Sequence, residues 1–275
     1  MKLLKEFVPY TVTSKPCAFL FGNFDGVHLG HQFIFQKVIN LAKEHNLQSV
    51  ILTFQNHPAE ILRPHSVPKR LIAAQKKIAM IESFGFDVVI DLAFTNSLAN
   101  LTADDFFLKL QAMLPFHYFV AGIDVAFGKD RKGNKDYLLA KAKEIDFKLL
   151  FLEKFTVDGI TVSSSAIRTL IQEAKFYEAE RLLGRPYKLI CKVISTEPKL
   201  IVDADGFALP LSGKYQAILR KEEADESLSY KAEVQILAND LLEITITDKV
   251  SLGACKYIEV QFESSSCIKK IAHRV

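Results

Sequence analysis

Two histidines, His28 and His31, stand three apart in the stretch FGNFDGVHLGH (residues 21–31). Imidazoles can donate hydrogen bonds to phosphoryl oxygens without carrying a permanent full charge. Gly22 and Gly26 let the chain turn sharply and approach a ligand closely. The residues that follow have helical spacing, so the pair sits where a helix N-terminus offers free N–H groups and a partial positive charge to an anion. The pattern suits a phosphate site. A tight solvent turn with two surface histidines is the plain alternative. A zinc pair is another, but no third and fourth ligands stand at a recognisable spacing. Because both histidines lie in a turn and not on an apolar face, replacing them is expected to leave folding little affected.

The elements that must position this stretch are legible around it. CAFLFG (17–22), SVILTF (49–54), DVVIDLAF (87–94) and HYFVAGID (117–124) are short apolar runs of the kind that form buried strands, and DFKLLFLEKF (146–155) looks like another. Between the first two, Ile34, Val38 and Leu41 share a helical face beside Phe35, Ile39 and Ala42. Residues 73–85 are helical and stop at a glycine. Residues 102–114 open with a Thr N-cap and two acids in the first turn. Alternating strand and helix predicts a parallel sheet covered on both faces, an α/β domain. Ligands of such sheets bind beyond the carboxyl ends of the strands, which is where residues 21–31 fall.

Residues 163–183 suggest two short helices, the second closed by Gly184 and Pro186. After Tyr187 the period changes to two. AEVQIL (232–237) and LEITIT (242–247) alternate around the turn residues Asn239 and Asp240, and YIEVQF (257–262) alternates as well. Residues 188–195, 199–203 and 214–219 are further strand candidates. This predicts a small antiparallel barrel following the α/β domain, with the boundary at residue 187: 1–187 and then 188–275.

The bulk numbers narrow the field of functions. With 275 residues, two domains are expected. Hydrophobic residues make up 49% and charged residues 24%, ordinary for a soluble globular chain, and the net charge of +3 argues for neither nucleic acid nor a membrane surface. Cys17, Cys191, Cys255 and Cys267 form no CxxC pair and suggest no disulfide framework. The opening MKLLKEFVPYTV is a poor signal peptide, since Lys5 and Glu6 interrupt it, and no apolar run is long enough to span a bilayer. A cytoplasmic protein is expected, with its oligomeric state open.

GNFDGVHLGH resembles the HxGH-type nucleotidylyltransferase signature, and its flanks resemble the FAD synthetase module of the bacterial bifunctional riboflavin kinase/FAD synthetase family. LTFQNHP (52–58) is similar to the family's TF-x-PHP segment, with Asn56 where proline is usual. VAGIDVAFGKDRKG (120–133) is similar to its G-x-D/N-F-x-FG-x-x-R-x-G segment, with Val125 for phenylalanine. VSSSAIR (162–168) is similar to VSSTxIR, with Ser165 for threonine, and LLGRPY (182–187) looks like the junction into the kinase domain. The resemblance spans roughly residues 17–187 and implies a Rossmann-like fold that makes FAD and pyrophosphate from FMN and ATP with Mg²⁺. It implies that His28 and His31 hold the triphosphate and stabilise the reacting α-phosphoryl group. Arg168, in the first turn of its helix, would hold the β- and γ-phosphates. Ser163, Ser164 and Ser165 would add hydroxyls and N–H groups, with plain N-capping as their alternative. Asn23, Phe24 and Asp25 would line the cleft, and Asp124 would help position the nucleotide. His57 would lie near the flavin phosphate or else cap a helix before Pro58. Phe127 and Arg131 would border the nucleotide or else be a core aromatic and a solvated charge. No direct metal ligand is assigned.

The resemblance fails in the barrel. The family's kinase signature, G-x-P-T-A-N, is absent from KLICKVISTEPKLIVDADGFALPLSGKYQAIL (188–219). Glu233 resembles the position of the kinase carboxylate, or is simply an outward-facing strand residue. The expectation is therefore a monofunctional FAD synthetase whose barrel lacks kinase activity. A bifunctional enzyme with an atypical kinase site, and a non-catalytic flavin-binding interaction protein, are the competing readings.

Overall fold

The structure is a computed structural model that describes residues 2–8, 12–13, 15–204, 206–221, 228–247 and 255–263. Cys267 and part of the opening stretch weighed as a signal peptide (residues 1 and 9–11) lie outside the described residues. The chain divides into two compact units, 1–68 with 74–156, and 69–73 with 157–275. The change of sequence period at Tyr187 marks a different feature, the start of the barrel strands.

In the first unit the elements run β1 (Lys2–Leu4), β2 (Cys17–Phe21), α1 (Leu29–Glu44), β3 (Gln48–Phe54), α2 (Ala59–Leu62), α3 (Ala74–Ser83), β4 (Val88–Leu92), α4 (Asn96–Ala99), α5 (Ala103–Met113), β5 (Phe116–Gly122), α6 (Lys135–Glu144) and β6 (Lys148–Leu152). The strands form one sheet in the order β1-β4-β3-β2-β5-β6, and every neighbouring pair is parallel. Four of the five apolar runs of the sequence form its interior strands, and the fifth forms the edge strand β6. Alternate residues feed opposite faces, as the two-residue strand period requires. Phe19, Val50, Leu52, Ile90 and Phe119 pack with Phe106, Phe107, Leu110 and Met113 of α5. On the other face Leu20, Ile51 and Val89 are buried, as are Phe35 and Val38 of α1 and Ile81 of α3. The capping chemistry is present too: the Thr102 hydroxyl accepts from the Asp105 N–H at 3.0 Å, and Gly85 takes φ 84° just past α3.

Phe119 is fully buried, and its ring meets those of Phe19 at 5.2 Å, Phe116 at 5.7 Å and Phe21 at 5.9 Å. Phe119→Ala is expected to destabilise this unit by about 3–5 kcal/mol, through lost transfer energy and the cavity left behind. The measurement is the urea midpoint of the unit's unfolding transition. A shift worth less than about 1 kcal/mol would show that this cluster closes around the gap.

After a short hairpin, β7 (Thr156–Val157) and β8 (Ile160–Thr161), the second unit holds α7 (Ser164–Gln172), α8 (Phe176–Leu183) and six strands: β9 (Lys188–Ser195), β10 (Leu200–Asp203), β11 (Lys214–Lys221), β12 (Tyr230–Ile236), β13 (Leu241–Ile246) and β14 (Tyr257–Phe262). These close into an antiparallel barrel in the order β10-β13-β12-β11-β14-β9. Tyr215, Ala217, Leu219, Val234, Ile244 and Val260 are buried, while the residues between them face outward. The β12–β13 turn uses left-handed Asn239 (φ 57°) and Asp240 (φ 59°), the conformation these residues tolerate best. Helix α8 belongs with the barrel, since Phe176 stacks on Phe262 at 4.9 Å. So does the segment 69–73. The Arg70 N–H donates to the Gly206 carbonyl, the Ala208 N–H donates to the Arg70 carbonyl, and the Arg70 guanidinium lies over the Phe207 ring at 4.3 Å.

Cys17 and Cys191 are free and buried, and burial pushes both thiols up to about 12, which marks them as inert core residues. No helix among the described residues is long and apolar enough to cross a membrane.

Candidate active site

The strand order reverses at β2, which has β3 on one side and β5 on the other. In an open parallel sheet this reversal leaves a crevice beyond the strand ends. Residues 22–28 leave β2 at that point. Their backbone is strained. Phe24 (φ 51°), Gly26 (φ 85°) and Val27 (φ 39°) are all left-handed, which costs nothing at glycine and is costly at β-branched valine. A Cβ on Gly22 would come within 2.8 Å of the Phe24 ring, so only glycine leaves room for that ring to fold back. The turn is fastened at several points. The Val27 N–H donates to the Phe24 carbonyl at 3.1 Å, Gln32 Nε2 donates to the Val27 carbonyl at 2.9 Å, and the Asn23 carbonyl accepts from Thr53 Oγ1 at 3.2 Å.

His28 is the N-cap of α1. Its Nδ1 accepts from the His31 N–H at 3.3 Å, which assigns the neutral tautomer with the proton on Nε2. The two imidazoles stack with centroids 3.5 Å apart, and the Phe24 ring meets His31 edge-on at 5.3 Å. His28 is only 5% exposed, while His31 is half-buried. The plain alternative of two surface histidines does not fit His28, and because His28 holds the helix start its replacement is expected to cost some stability, where the sequence reading expected folding to be little affected. Asp25 is buried in the same turn.

Beyond the ends of β2 and β3 lies a largely apolar cavity of about 470 Å³, lined by Phe21, Phe54, Phe94 and Phe106 among others, with His57, Arg63 and Arg131 as its titratable and charged members. Its size and lining are those of a small-molecule site. His57 both lines this cavity and caps α2: its Nδ1 accepts from the Ala59 N–H at 3.0 Å. Phe127 is likewise double in character, buried against Phe21 at 5.5 Å and lining the cavity. Asp124 and Arg131 line a second, more polar cavity of about 730 Å³ past the end of β5, where Asp124 is exposed and pairs with Lys154 at 3.0 Å.

Four residues contribute in ways the sequence reading did not assign. Arg63 and Phe94 line the apolar cavity, Phe94 from just past the end of β4. Asn56, standing where the similar segment has proline, clasps the backbone of Phe94, donating from Nδ2 to its carbonyl at 3.0 Å and accepting its N–H on Oδ1 at 2.8 Å. Lys77 is 5% exposed on the inner face of α3, where its ammonium donates to the carbonyls of Phe54 and Asn23. Burial pushes that ammonium down, and the charges of Asp91 and Asp25 oppose the shift. Asp91 is pushed up by its own burial, and Lys77 opposes that in turn.

The serines and Arg168 belong to the second unit. Ser163 is the N-cap of α7, accepting the Ala166 N–H on Oγ at 3.2 Å, and Ser164 and Ser165 follow in the first turn. Arg168 is therefore the fifth helical residue, in the second turn and not the first, and its Nε donates to the Lys69 carbonyl at 2.6 Å. Glu233 points away from the barrel core and pairs with Lys214 at 2.7 Å. No group of three or more His, Cys, Asp or Glu side chains among the described residues is arranged to hold a metal ion.

The family model for FAD synthetase matches residues 11–166 of the chain. The bifunctional riboflavin kinase/FMN adenylyltransferase of Buchnera aphidicola subsp. Schizaphis graminum is 33% identical over 196 residues, 70% of this chain and 63% of its own. The protein of the same description from Haemophilus influenzae is 36% identical over 179 residues, 65% of this chain and 58% of its own. That from Pseudomonas fluorescens is 33% identical over 224 residues, 78% and 72% of the two chains. The chain thus spans about three fifths of the length of the Buchnera and Haemophilus relatives. A solved structure from Streptococcus pneumoniae, described as a macrolide-efflux protein, superposes with a TM-score of 0.76 over 95% of this chain and 88% of its own at 24% identity, a likeness of fold alone.

Proposed function

The chain belongs to the FAD synthetase family, and on that premise we propose that it is an FMN adenylyltransferase, moving AMP from ATP to FMN to give FAD and pyrophosphate. The observation that carries this reading is the buried, tautomer-fixed His28 beside His31 at the N-terminus of α1, where the strand order reverses.

The chemistry follows from the groups. A phosphate oxygen of FMN, already largely ionised at about neutral pH, attacks the α-phosphorus. The new P–O bond forms as the bond to the pyrophosphate oxygen breaks, so no general base is required. What the protein must supply is alignment and positive potential. With Nδ1 accepting from the His31 N–H, Nε2–H is the atom of His28 assigned to an α-phosphoryl oxygen, and the positive end of α1 adds to it. The apolar cavity with its phenylalanine lining suits the flavin ring, with His57, Arg63 and Arg131 as candidates for its phosphate. Asn23, Phe24 and Asp25 shape the cleft through the turn. Asp124 is assigned to the nucleotide. Mg²⁺ would enter as its complex with ATP, neutralising phosphate charge, since the described residues offer hard oxygen donors but no ready three-ligand cluster. A cytoplasmic setting fits these substrates. The experiment is incubation with FMN and ATP·Mg²⁺ followed by chromatography of the flavins. FAD should accumulate, and a persistent absence of FAD would overturn the reading.

Arg168 is assigned to the β- and γ-phosphates and the departing pyrophosphate. Arg168→Lys is expected to raise the KM for ATP roughly tenfold or more and leave FMN binding within about threefold, because an ammonium cannot reproduce the planar two-donor grip of a guanidinium. Steady-state kinetics with ATP varied at saturating FMN checks this. An unchanged KM for ATP would mean that Arg168 only secures Lys69.

A further inference from the structure

We infer that Lys77 is a positioning residue for adenylyl transfer, holding the strained turn that carries Asn23, Asp25 and His28 against the end of β3; this rests on the FMN adenylyltransferase reading above. Helix α3 places Lys77 four residues before Ile81 on its inward face, where helical packing calls for an apolar side chain. A buried ammonium is costly unless it is hydrogen-bonded and its charge is answered. Here two carbonyls accept from it and two buried carboxylates act on it through their charge. Nζ donates to the carbonyls of Asn23 and Phe54, so one side chain bridges the first residues beyond β2 and the last residue of β3. Asp25 of the turn and Asp91 of β4, 8% and 7% exposed, supply the compensating charge.

The turn needs such a brace. Phe24 and Val27 hold backbone conformations that non-glycine residues leave unless surrounding contacts over-determine them. Gln32 fastens the far side of the turn at the Val27 carbonyl, and Thr53 with Lys77 fastens the near side at the Asn23 carbonyl. Of these three, only Lys77 joins the turn to α3 and carries a charge that Asp25 answers. Its ammonium is 5% exposed and engaged by two backbone carbonyls, so its effect on catalysis runs through the turn.

The test compares the full-length protein with Lys77→Met, and with Lys77→Met combined with Asp91→Asn, which removes charges of opposite sign together. Hydrogen–deuterium exchange of residues 22–28 should quicken about tenfold or more, with α5 unchanged. In steady-state FAD formation kcat should fall roughly 10- to 100-fold, the scale of a small misplacement of reacting groups, with the KM for FMN within about threefold. Exchange at 22–28 that matches wild type, a wild-type kcat, or quickening spread equally over α5 would overturn the proposal, the last by showing a general packing role. Failure of both variants to fold would overturn it in the same way. If the wild-type protein makes no FAD, the adenylyltransferase reading fails at that arm, and the exchange arm still decides whether Lys77 holds the turn.

Discussion

His28→Ala lowers the turnover of FAD formation by roughly 10²-fold or more, the scale seen when one preorganised transition-state donor is removed. His31→Ala is expected to do the same. Negative charge builds on the α-phosphoryl oxygens as the attacking phosphate arrives, and a donor already fixed in place stabilises it without reorganisation. The fold supplies that fixity: the His31 N–H anchors His28 Nδ1, and the second imidazole stacks on the first at 3.5 Å. The same arrangement complicates the alanine variant. Removing an N-cap costs about 0.5–2 kcal/mol, so some loss of stability accompanies the loss of rate. His28→Asn separates the two effects. Asparagine is a strong N-cap and should keep the melting temperature near wild type, while its shorter amide cannot place a donor where Nε2–H stood. Turnover in the asparagine variant should still fall by about 10²-fold. A well-folded His28→Asn protein that turns over like wild type, together with a normal His31→Ala, would return the pair to a purely structural role.

With riboflavin, ATP and Mg²⁺ but no FMN, the protein forms neither FMN nor FAD at a rate approaching that of FAD formation from FMN. A kinase must neutralise charge on the phosphoryl group in flight, chiefly through Mg²⁺ held beside the phosphates. The kinase signature that the sequence resemblance leads one to look for, G-x-P-T-A-N, would place a threonine and an asparagine for that purpose, and residues 188–219 contain no such run. Glu233 sits at the resembling position of the barrel, facing outward and engaged by Lys214 at 2.7 Å. Such a carboxylate could at best activate a hydroxyl. Without the phosphate and metal machinery the rate should be lower by orders of magnitude. Chromatography of the flavins over time decides it. Steady FMN or FAD from riboflavin, at a rate comparable with that from FMN, would establish a kinase site of another design in the barrel.

Much of this protein is written in local pattern. Apolar runs become buried parallel strands because both faces of such a sheet are covered, so polar residues such as Asp91 of β4 are few in them. Thr102 and Ser163 cap their helices, Gly184 ends α8 in the left-handed conformation at φ 74°, and Asn239 with Asp240 turns the barrel hairpin, because each choice is decided by the residue's own backbone and side-chain chemistry. The order of strands and helices by itself places FGNFDGVHLGH beyond a strand end. What local pattern could not carry is contact across the chain. β1 spans three residues, too few to show a period. Lys76 and Lys77 look alike in sequence, and only the packing of α3 buries one of them between Asp25 and Asp91. Residues 69–73 belong with the barrel because Arg70 pairs with Gly206 and Ala208, and Arg168 meets the Lys69 carbonyl across ninety-nine positions. From its type and spacing the sequence marked His28 as a candidate phosphate donor. That it is also buried, stacked and locked into one tautomer was decided by the tertiary structure, because burial and hydrogen-bond partners are set by which distant elements meet, not by the residues alongside.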